Sequence, residues 1–397
     1  MNILYVPSWF ISRKKPSNGI YFYEQAKAIS KFADNIFIVY PKQLELNPLK
    51  LKNEKNIHFY PFPKLHYKRT FFFYVFLNHY IKKIIKKYGK IDLIHAQSFF
   101  WAGVESAKIS MKYNIPLIIT EHHSRFLVGK EKLENIKVLQ KTIENSSKVV
   151  FVSNALKDSF IANIFHDQNY QVSKFSVIPN LVPDDFFKNL NEKSSKIYDD
   201  IDKKFIDKKF KIDKSKFIFS TIANLKSSKG FDLVIDSFYE AFCKTKNLDK
   251  VVLLIGGEGS YKSSIQSKIE KYNLKNNVIL LGQLSRQEVE YLLENSDCFV
   301  YGSEYETFGV VLAEALAKGV AVITTDCKGP IDFINETNGI IVKERKIDEF
   351  SNALLNIYNN KNRFDKEKIK QFAFENLSET AFIERYKKLY EQTIIQR

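Results

Sequence analysis

Residues 302–330 read G-S-E-Y-E-T-F-G-V-V-L-A-E-A-L-A-K-G-V-A-V-I-T-T-D-C-K-G-P, and they decide the fold. Just before them, Asp297 to Tyr301 closes an apolar strand. Thr307 to Lys318 is rich in Ala, Leu and Glu and reads as a helix, with Gly319 where a helix stop is expected. Val320 to Thr324 is β-branched and apolar and reads as the next buried strand. Strand, helix and strand in that order belong to a parallel sheet. Two acids, Glu306 and Glu314, bracket the helix start and its third turn. On one continuous helix they would stand roughly 12 Å apart along the axis with about 80° of rotation between them, so both would line one side of a cleft. Between them come the amides of Thr307, Phe308, Gly309 and Val310, and a helix N-terminus containing a glycine is a ready phosphate site. An acid, an anion site and a second acid suit a nucleotide-sugar. One carboxylate accepts from sugar hydroxyls and the other from ribose hydroxyls, with the diphosphate between. The plain alternative is an amphipathic helix with two solvated glutamates; the T-F-G inside and the G-V-A-V-I-T after it favour the binding site.

With E-x-F-G-x-x-x-x-E-A complete, this stretch resembles the E-x7-E motif of retaining glycosyltransferases of family 4, and the resemblance covers almost the whole chain. It implies an α/β protein of the GT-B fold: two Rossmann-like domains with parallel sheets facing across a cleft, and a C-terminal helix returning to the N-terminal domain. The boundaries expected are residues 1–183 for an acceptor-binding domain, 184–215 for a linker, 216–377 for a nucleotide-sugar-binding domain, and 378–397 for the returning helix. At 397 residues the length suits two domains. The linker stretch is rich in Lys, Asp and Asn, with a local echo of D-K-K-F.

Charge is placed unevenly. Residues 1–183 hold 27 Lys and Arg against 12 Asp and Glu, a balance of +15, so of the chain's +16 only +1 belongs to the rest. A low-G+C genome would enrich lysine in both halves alike. A basic first half therefore points to an acidic partner, a membrane surface or an anionic lipid-linked substrate, while nucleic acid is disfavoured because no known binding motif is present. Cys243, Cys298 and Cys327 are scattered without CxxC spacing and suggest neither a metal site nor a disulfide framework. The N-terminus runs straight into a strand without a basic leader, and no apolar run reaches bilayer-spanning length. The expectation is a cytoplasmic protein, peripheral on the inner face of the membrane.

In the first half, residues 2–7 form a short strand, a polar loop ends at Gly19, and Y-F-Y-E-Q-A-K-A-I-S reads as a helix. Strand, glycine turn and helix start make a phosphate-approach geometry. The pattern around it is similar to the family N-terminus, whose glycine loop faces the donor diphosphate, and this puts Gly19 among the donor-binding residues. Residues 70–88 carry an apolar side (Phe73, Phe76, Leu77, Tyr80, Ile81, Ile84, Ile85, Tyr88) and a basic side (Lys82, Lys83, Lys86, Lys87). Two readings stand: an interfacial helix on an anionic membrane, or a domain helix with its apolar face on the sheet. The regional charge favours the first. Phe99 to Lys112 reads as a helix. Pro116 to Thr120 is a strand ending in E-H-H-S, and a histidine just beyond a parallel strand's C-terminal edge sits where ligands bind. The T-E-H resembles the family's T-x-H, whose histidine touches the transferred sugar. That role is carried to His122, with His123 as the alternative.

In the second half, Phe217 to Ala223 is a strand running into N-L-K-S-S-K-G-F-D. Lys229 and Gly230 match the family's K-G, whose lysine binds the donor diphosphate and stabilises the leaving nucleotide. Where the family usually has an arginine five residues earlier, this chain has Asn224, so one cationic contact is missing or Lys226 supplies it. G-E-G at 257–259 resembles the family's G-x-G near the nucleotide and places Gly257 there. Gln283 and Leu284 match the loop that borders the base. Ser285 reads as a helix cap. Phe382, Tyr386, Tyr390 and Ile394 form one stripe of a last helix.

The resemblance to family 4 implies a retaining hexosyltransferase. It moves a sugar from a nucleotide-diphosphate donor, a UDP-sugar in first place, to a saccharide or lipid-linked saccharide in bacterial surface-glycan synthesis (capsule, O-antigen or lipopolysaccharide). The expected catalytic residues are Glu306, His122 and Lys229. Donor contacts are Gly19, Asn224, Lys229, Gly257, Gln283, Leu284, Glu306, Thr307, Phe308, Gly309, Val310 and Glu314. No D-x-D stands at a strand end, so neither metal nor cofactor is expected. The alternatives are a nucleotide-sugar epimerase of the same fold and a non-catalytic glycan-binding protein. The first would need no acceptor; the second would leave Glu306, Glu314 and Lys229 without a task.

Overall fold

The computed structural model describes residues 1–11, 19–42, 55–63, 69–129, 133–165, 173–188, 210 and 212–395. The chain falls into two compact units: Met1–Leu181 with Glu379–Arg397, and Val182–Ser378. The first unit holds strands β1 (Asn2–Pro7), β2 (Asn35–Lys42), β3 (Ile57–Pro63), β4 (Leu93–Gln97), β5 (Leu117–Glu121), β6 (Lys148–Phe151) and β7 (Phe175–Val177). They pair in the order β3-β2-β1-β4-β5-β6-β7, every neighbour parallel. Runs such as L-I-I-T-E are buried along their whole length, as strands covered on both faces must be. The order reverses between β1 and β4, which opens a crevice beyond their C-terminal ends.

The second unit repeats the plan with β8 (Phe217–Ile222), β9 (Val251–Gly256), β10 (Val278–Gly282), β11 (Cys298–Tyr301), β12 (Ala321–Thr325) and β13 (Gly339–Val342). Its order, β10-β9-β8-β11-β12-β13, is again parallel and reverses between β8 and β11. On one face Phe219 packs against Phe238 and Phe242 of the helix Phe231–Lys244, which lies against the helix Ile347–Asn359. On the other, Ile218, Val252, Leu254 and Leu281 pack with Tyr291 and Leu292.

The last helix, Glu379–Ile395, belongs to the first unit, as the returning-helix expectation required. Phe382, Tyr386, Leu389 and Tyr390 are buried in the same core as Ile3, Tyr5 and Phe22. The alternation of two parallel sheets with helices is the expected α/β architecture.

Several local expectations are corrected. Phe99–Lys112 is not one helix: a wide turn, Phe99–Gly103, precedes the helix Val104–Tyr113. The Phe99 ring is buried, stacked on Phe160 at 5.1 Å. The helix expected from Thr307 begins only at Val310, because Gly309 sits at φ 81 and Glu306 pairs with Lys328 in a β-bridge. The turn expected at 338–339 is present at 336–338, but Gly339 then opens strand β13, which was not expected because its four residues are too few to show a period. The helix Arg69–Tyr88 lays Phe73, Leu77, Ile81 and Ile84 into the unit's core, so most of its apolar face serves the domain. Lys82, Lys83, Lys86 and Lys87 are exposed, and so are Phe71 and Val75 near its start. Of the linker stretch, 189–209 and 211 lie outside the described residues, as does the polar loop 12–18. Asp184–Phe187 forms a short turn of the second unit, with Phe186 buried. Among the described residues no helix is long and apolar enough to cross a membrane.

Candidate functional site

In the second unit β8 hands the chain to the loop Ala223–Gly230. Gly230 has φ 69, and a Cβ there would lie 1.8 Å from the Gly302 carbonyl oxygen, so only glycine lets this loop close on the loop after β11. Glu304 N donates to Ser228 O at 2.9 Å, and Thr325 Oγ1 to Ser303 O at 2.6 Å. The closure brings Lys229 Nζ onto the Glu306 carboxylate. The Tyr301 hydroxyl donates to the same carboxylate oxygen at 2.6 Å. Burial, and then the negative charge of Glu306, raise the Tyr301 phenol well above its ordinary pKa, so it remains a donor. The backbone of Glu306 is tied on both sides, its N–H to Cys327 O at 2.7 Å and its carbonyl to Gly329 N at 2.9 Å. Lys229 and Glu306 are each about one-fifth exposed, at 21% and 18%. Beside them, the amides of Thr307, Phe308, Gly309 and Val310 donate to no acceptor among the described residues. A cation, a carboxylate, a phenol and a row of open amides therefore share one corner.

Glu314 lies elsewhere than the helical projection placed it. Since the helix runs only Val310–Ala317, Glu306 precedes it in extended chain and the two acids do not share a face. Glu314 is buried and paired through Oε1 with Arg286, leaving Oε2 with no hydrogen-bond partner among the described residues. Burial raises its pKa, and the Arg286 guanidinium opposes that. Arg286 is set by the helix it opens, Arg286–Glu294. The Ser285 hydroxyl accepts from Glu288 N at 3.3 Å and Ser285 N donates to the Glu288 carboxylate at 2.7 Å, a reciprocal cap. The guanidinium lies over Phe186, 4.2 Å from the ring centre.

The remaining expected donor contacts sit on the C-terminal edge of the same sheet. Asn224 and Lys226 are exposed in the loop after β8. Gly257 has φ 134, and a Cβ there would meet Ala223 O at 1.9 Å. Glu258 O accepts from Leu225 N at 3.0 Å, so the G-E-G turn acts as a buttress for the lysine loop. After β10, Gln283 is exposed while Leu284 is buried against Gly256.

Gly19 and His122 belong to the first unit. Gly19, at φ 85, caps the helix Ile20–Ser30. His122 follows β5, buried against the rings of Tyr21 and Phe22 and bonded through Nε2 to Gln97 Oε1 at 2.7 Å. Its Nδ1 is buried without a hydrogen-bond partner among the described residues. Burial holds the imidazole neutral, its pKa down at about 3. Glu121 fixes this corner: Oε1 accepts from Ser98 Oγ and the amides of His122 and His123 at 2.6–2.7 Å, and Oε2 from Phe99 N at 2.8 Å. His123 is exposed and borders a cavity of about 310 Å³ at the C-terminal ends of β1, β3, β4 and β5. Trp9, Phe62, Phe72, Phe100, Trp101 and Phe126 line it, with Ser98 and Arg125 as polar groups. Among the described residues no cluster of three or more His, Cys, Asp or Glu is arranged for a metal ion.

Sequence reasoning missed Arg286, Tyr301, Glu121 and Gln97. Arg286 carried a signal: a cation in the first turn of a helix runs against the macrodipole and calls for a carboxylate partner. Glu121 was in plain view in T-E-H-H. Tyr301 and Gln97 end apolar strands and offered no such mark.

Two family models tile the chain. The model described as Glycosyltransferase Family 4 matches residues 19–186, and the one described as Glycosyl transferases group 1 matches residues 202–374. The chain is 26% identical over 283 residues to an uncharacterized glycosyltransferase of Methanocaldococcus jannaschii, covering 70% of this chain and 68% of that protein. It is 24% identical over 286 residues to the Escherichia coli UDP-Gal:alpha-D-GlcNAc-diphosphoundecaprenol alpha-1,3-galactosyltransferase, covering 70% and 69%. Other curated relatives are matched over 36% and 65% of their own lengths. Sucrose-phosphate synthase of Thermosynechococcus elongatus superposes with a TM-score of 0.78 at 16% identity, covering all of both chains, a likeness of fold. With both halves matched and the fold shared, the chain belongs to glycosyltransferase family 4 and has the GT-B fold.

Proposed function

We propose that the protein is a retaining hexosyltransferase that uses a nucleotide-diphosphate sugar, a UDP-sugar in first place, and a saccharide acceptor carried on a lipid, in the building of a bacterial surface glycan. The observation that carries the reading is the Lys229–Glu306–Tyr301 corner beside the open amides of 307–310. The diphosphate takes the amides and Lys229, which then exchanges its carboxylate partner for phosphate oxygens. Glu306 turns to the sugar hydroxyls, Oε2 of Glu314 accepts from the ribose, and Nδ1 of His122 accepts from a sugar hydroxyl. Asn224, Gly257, Gln283 and Leu284 frame the nucleotide, and Gly19 faces the diphosphate. In the transfer step the bond from the anomeric carbon to the donor phosphate breaks. The acceptor oxygen bonds to that carbon on the same face, and its proton passes to the leaving phosphate. The protein positions the reactants and stabilises the charge developing on the diphosphate with Lys229 and the amides, so this reading asks for no metal.

The aromatic cavity of the first unit supports an acceptor with both a sugar face and an apolar part. An epimerase would take no acceptor and leaves that cavity without a task. The Escherichia coli relative is named for a UDP-Gal donor and a diphosphoundecaprenol-linked acceptor, chemistry that fits both features. Phe71 and Val75, exposed on the helix whose Phe72 and Phe73 border the cavity, together with the four lysines, suit work at an anionic membrane face. Calorimetry with UDP-, GDP- and ADP-sugars tests the donor. Binding of a UDP-sugar that is lost in Glu306→Ala and Lys229→Ala is the result expected. Full activity in both variants removes the site.

A further inference from the structure

The first unit holds a chain of buried hydrogen bonds that runs from its C-terminal helix to His122. Nε2 of His122 lies 2.7 Å from Gln97 Oε1. A carboxamide oxygen only accepts, so Nε2 carries the proton and Nδ1 the lone pair. That lone pair is buried and meets no donor among the described residues, whereas buried polar atoms are nearly always satisfied. The histidine stands beyond the C-terminal end of β5, on the edge where such sheets bind ligands. An acceptor kept dry and unpaired there is matched by a hydroxyl donor from a bound molecule.

Gln97 is itself locked. Its Nε2 lies 3.0 Å from Nε2 of His95. His95 Nδ1 is 2.5 Å from the Tyr390 hydroxyl and its Nε2 2.7 Å from Thr120 Oγ1. Thr120 Oγ1 is 2.9 Å from the Tyr386 hydroxyl. All six side chains are buried. With the carboxamide NH2 toward His95, one consistent set of donors results: His95 Nε2 accepts, His95 Nδ1 donates to Tyr390, and Gln97 Oε1 accepts from His122. Burial, and then the nearness of His122, keep His95 neutral, with its pKa at about 3. Turning the carboxamide over reverses both tautomers and would put a proton on His122 Nδ1. The orientation of Gln97 thus decides whether the open nitrogen of His122 accepts or donates.

We infer that Gln97 is a positioning residue that holds His122 as the Nε2–H tautomer, so that Nδ1 accepts a hydrogen bond from a hydroxyl of the sugar substrate, and that Tyr390 and His95 hold Gln97 in that orientation. The sugar contact rests on the transferase reading above; the tautomer does not.

The two parts are tested separately on the full chain. Nitrogen-15 spectra of labelled histidine, with His122 assigned through His122→Ala, are expected to show a protonated Nε2 and a bare Nδ1. A protonated Nδ1, or a mixture in the wild type, overturns the proposal. Gln97→Glu keeps an acceptor at His122 and is expected to preserve its tautomer while reversing that of His95. Gln97→Met is expected to release His122 to a mixture; an unchanged His122 spectrum in Gln97→Met overturns the positioning role. For the contact, UDP-glucose and UDP are compared by calorimetry. Gln97→Met and His122→Ala are each expected to weaken UDP-glucose roughly tenfold, the worth of one hydrogen bond, and to leave UDP unchanged. In the His122→Ala background Gln97→Met adds nothing; a second tenfold loss there means Gln97 does not act through His122. Expected spectra with full UDP-glucose affinity in His122→Ala refute the sugar contact alone.

Discussion

Lys229 and Glu306 neutralise one another in the free protein, so the two substitutions separate binding from stability. Lys229→Met removes the cation a diphosphate needs, and UDP affinity is expected to fall ten- to a hundredfold, about 1.5–3 kcal/mol for a charge-assisted bond. Both groups are partly exposed and the pair adds little to folding, so the thermal midpoint should stay within a degree or two. Calorimetric titration and thermal scans of the same sample check both halves of that statement. A second residue-scale consequence concerns pH. His95 and His122 are both held at about 3, well below the ordinary histidine value. Between that value and about 6.5 the unfolded chain binds protons that the folded first unit refuses. Their stabilising contribution is therefore present above pH 6.5 and lost as pH falls, by up to about 1.4 kcal/mol per pH unit for each histidine. Urea unfolding at pH 7 and pH 5 should show the first unit weaker at pH 5, with about half the difference removed in His122→Gln. Lys229 and Glu306 were legible because each sits inside a motif with its own local context. Arg286 and Gln97 were not: their meaning lies in partners far along the chain, Glu314 and, through His95, Tyr390, which folding alone brings near.

Elements were legible where their period was long or their strands fully apolar. The strands read at 2–7, 116–120, 217–223, 297–301 and 320–324 and the helix Ile20–Ser30 stand within a residue or two of where they were expected, and the last helix buries the stripe read from its spacing. The helix after Gly309 was misplaced by three residues. The Ala, Leu and Glu of 312–317 favour helix and the reading carried it back to Thr307, but Gly309 takes a left-handed conformation and Glu306 joins Lys328 in a bridge, tertiary pairing that no local pattern encodes. The returning helix offers the prediction at this scale. Phe382 is buried in the core of the first unit, and Phe382→Ala is expected to cost that unit about 3–5 kcal/mol through the cavity it leaves. Tyr390→Phe removes only the hydroxyl partner of His95, leaves its buried N–H unpaired, and should cost about 1–3 kcal/mol. The second unit, Val182–Ser378, holds neither residue, so its unfolding transition should not move. Differential scanning calorimetry on the full chain reads both transitions. An equal shift of both in Phe382→Ala would show that the helix does not stabilise the first unit selectively.

At the scale of the whole molecule the decisive quantity is the charge imbalance, +15 on residues 1–183 against +1 on the rest. The helix Arg69–Tyr88 shows how the two opposed readings of its sequence combine. Its apolar stripe is used by the domain core, yet Phe71 and Val75 stay exposed at one end and Lys82, Lys83, Lys86 and Lys87 along the outer side. Two exposed apolar side chains insert too little area to hold a protein on a bilayer alone, at roughly 1.5–3 kcal/mol each if fully buried. Four lysines add about 1 kcal/mol apiece near an anionic surface, a share comparable to the apolar one, and the rest of the basic excess on residues 1–183 adds to it, so much of the attraction should dissolve in salt. Sedimentation with vesicles of phosphatidylglycerol and phosphatidylcholine is therefore expected to pull the protein down at about 0.01 M salt, where the screening length is near 30 Å, and to release most of it at about 1 M, where it is near 3 Å. Replacing the four lysines by glutamine should weaken pelleting strongly. Phe71→Ser with Val75→Ser should weaken it too, but leave the salt dependence in place. Pure phosphatidylcholine vesicles should leave the protein in the supernatant at either salt. Equal pelleting with both lipids, or none at low salt, would separate the basic half from any membrane role and turn its charge toward the acceptor's own phosphates.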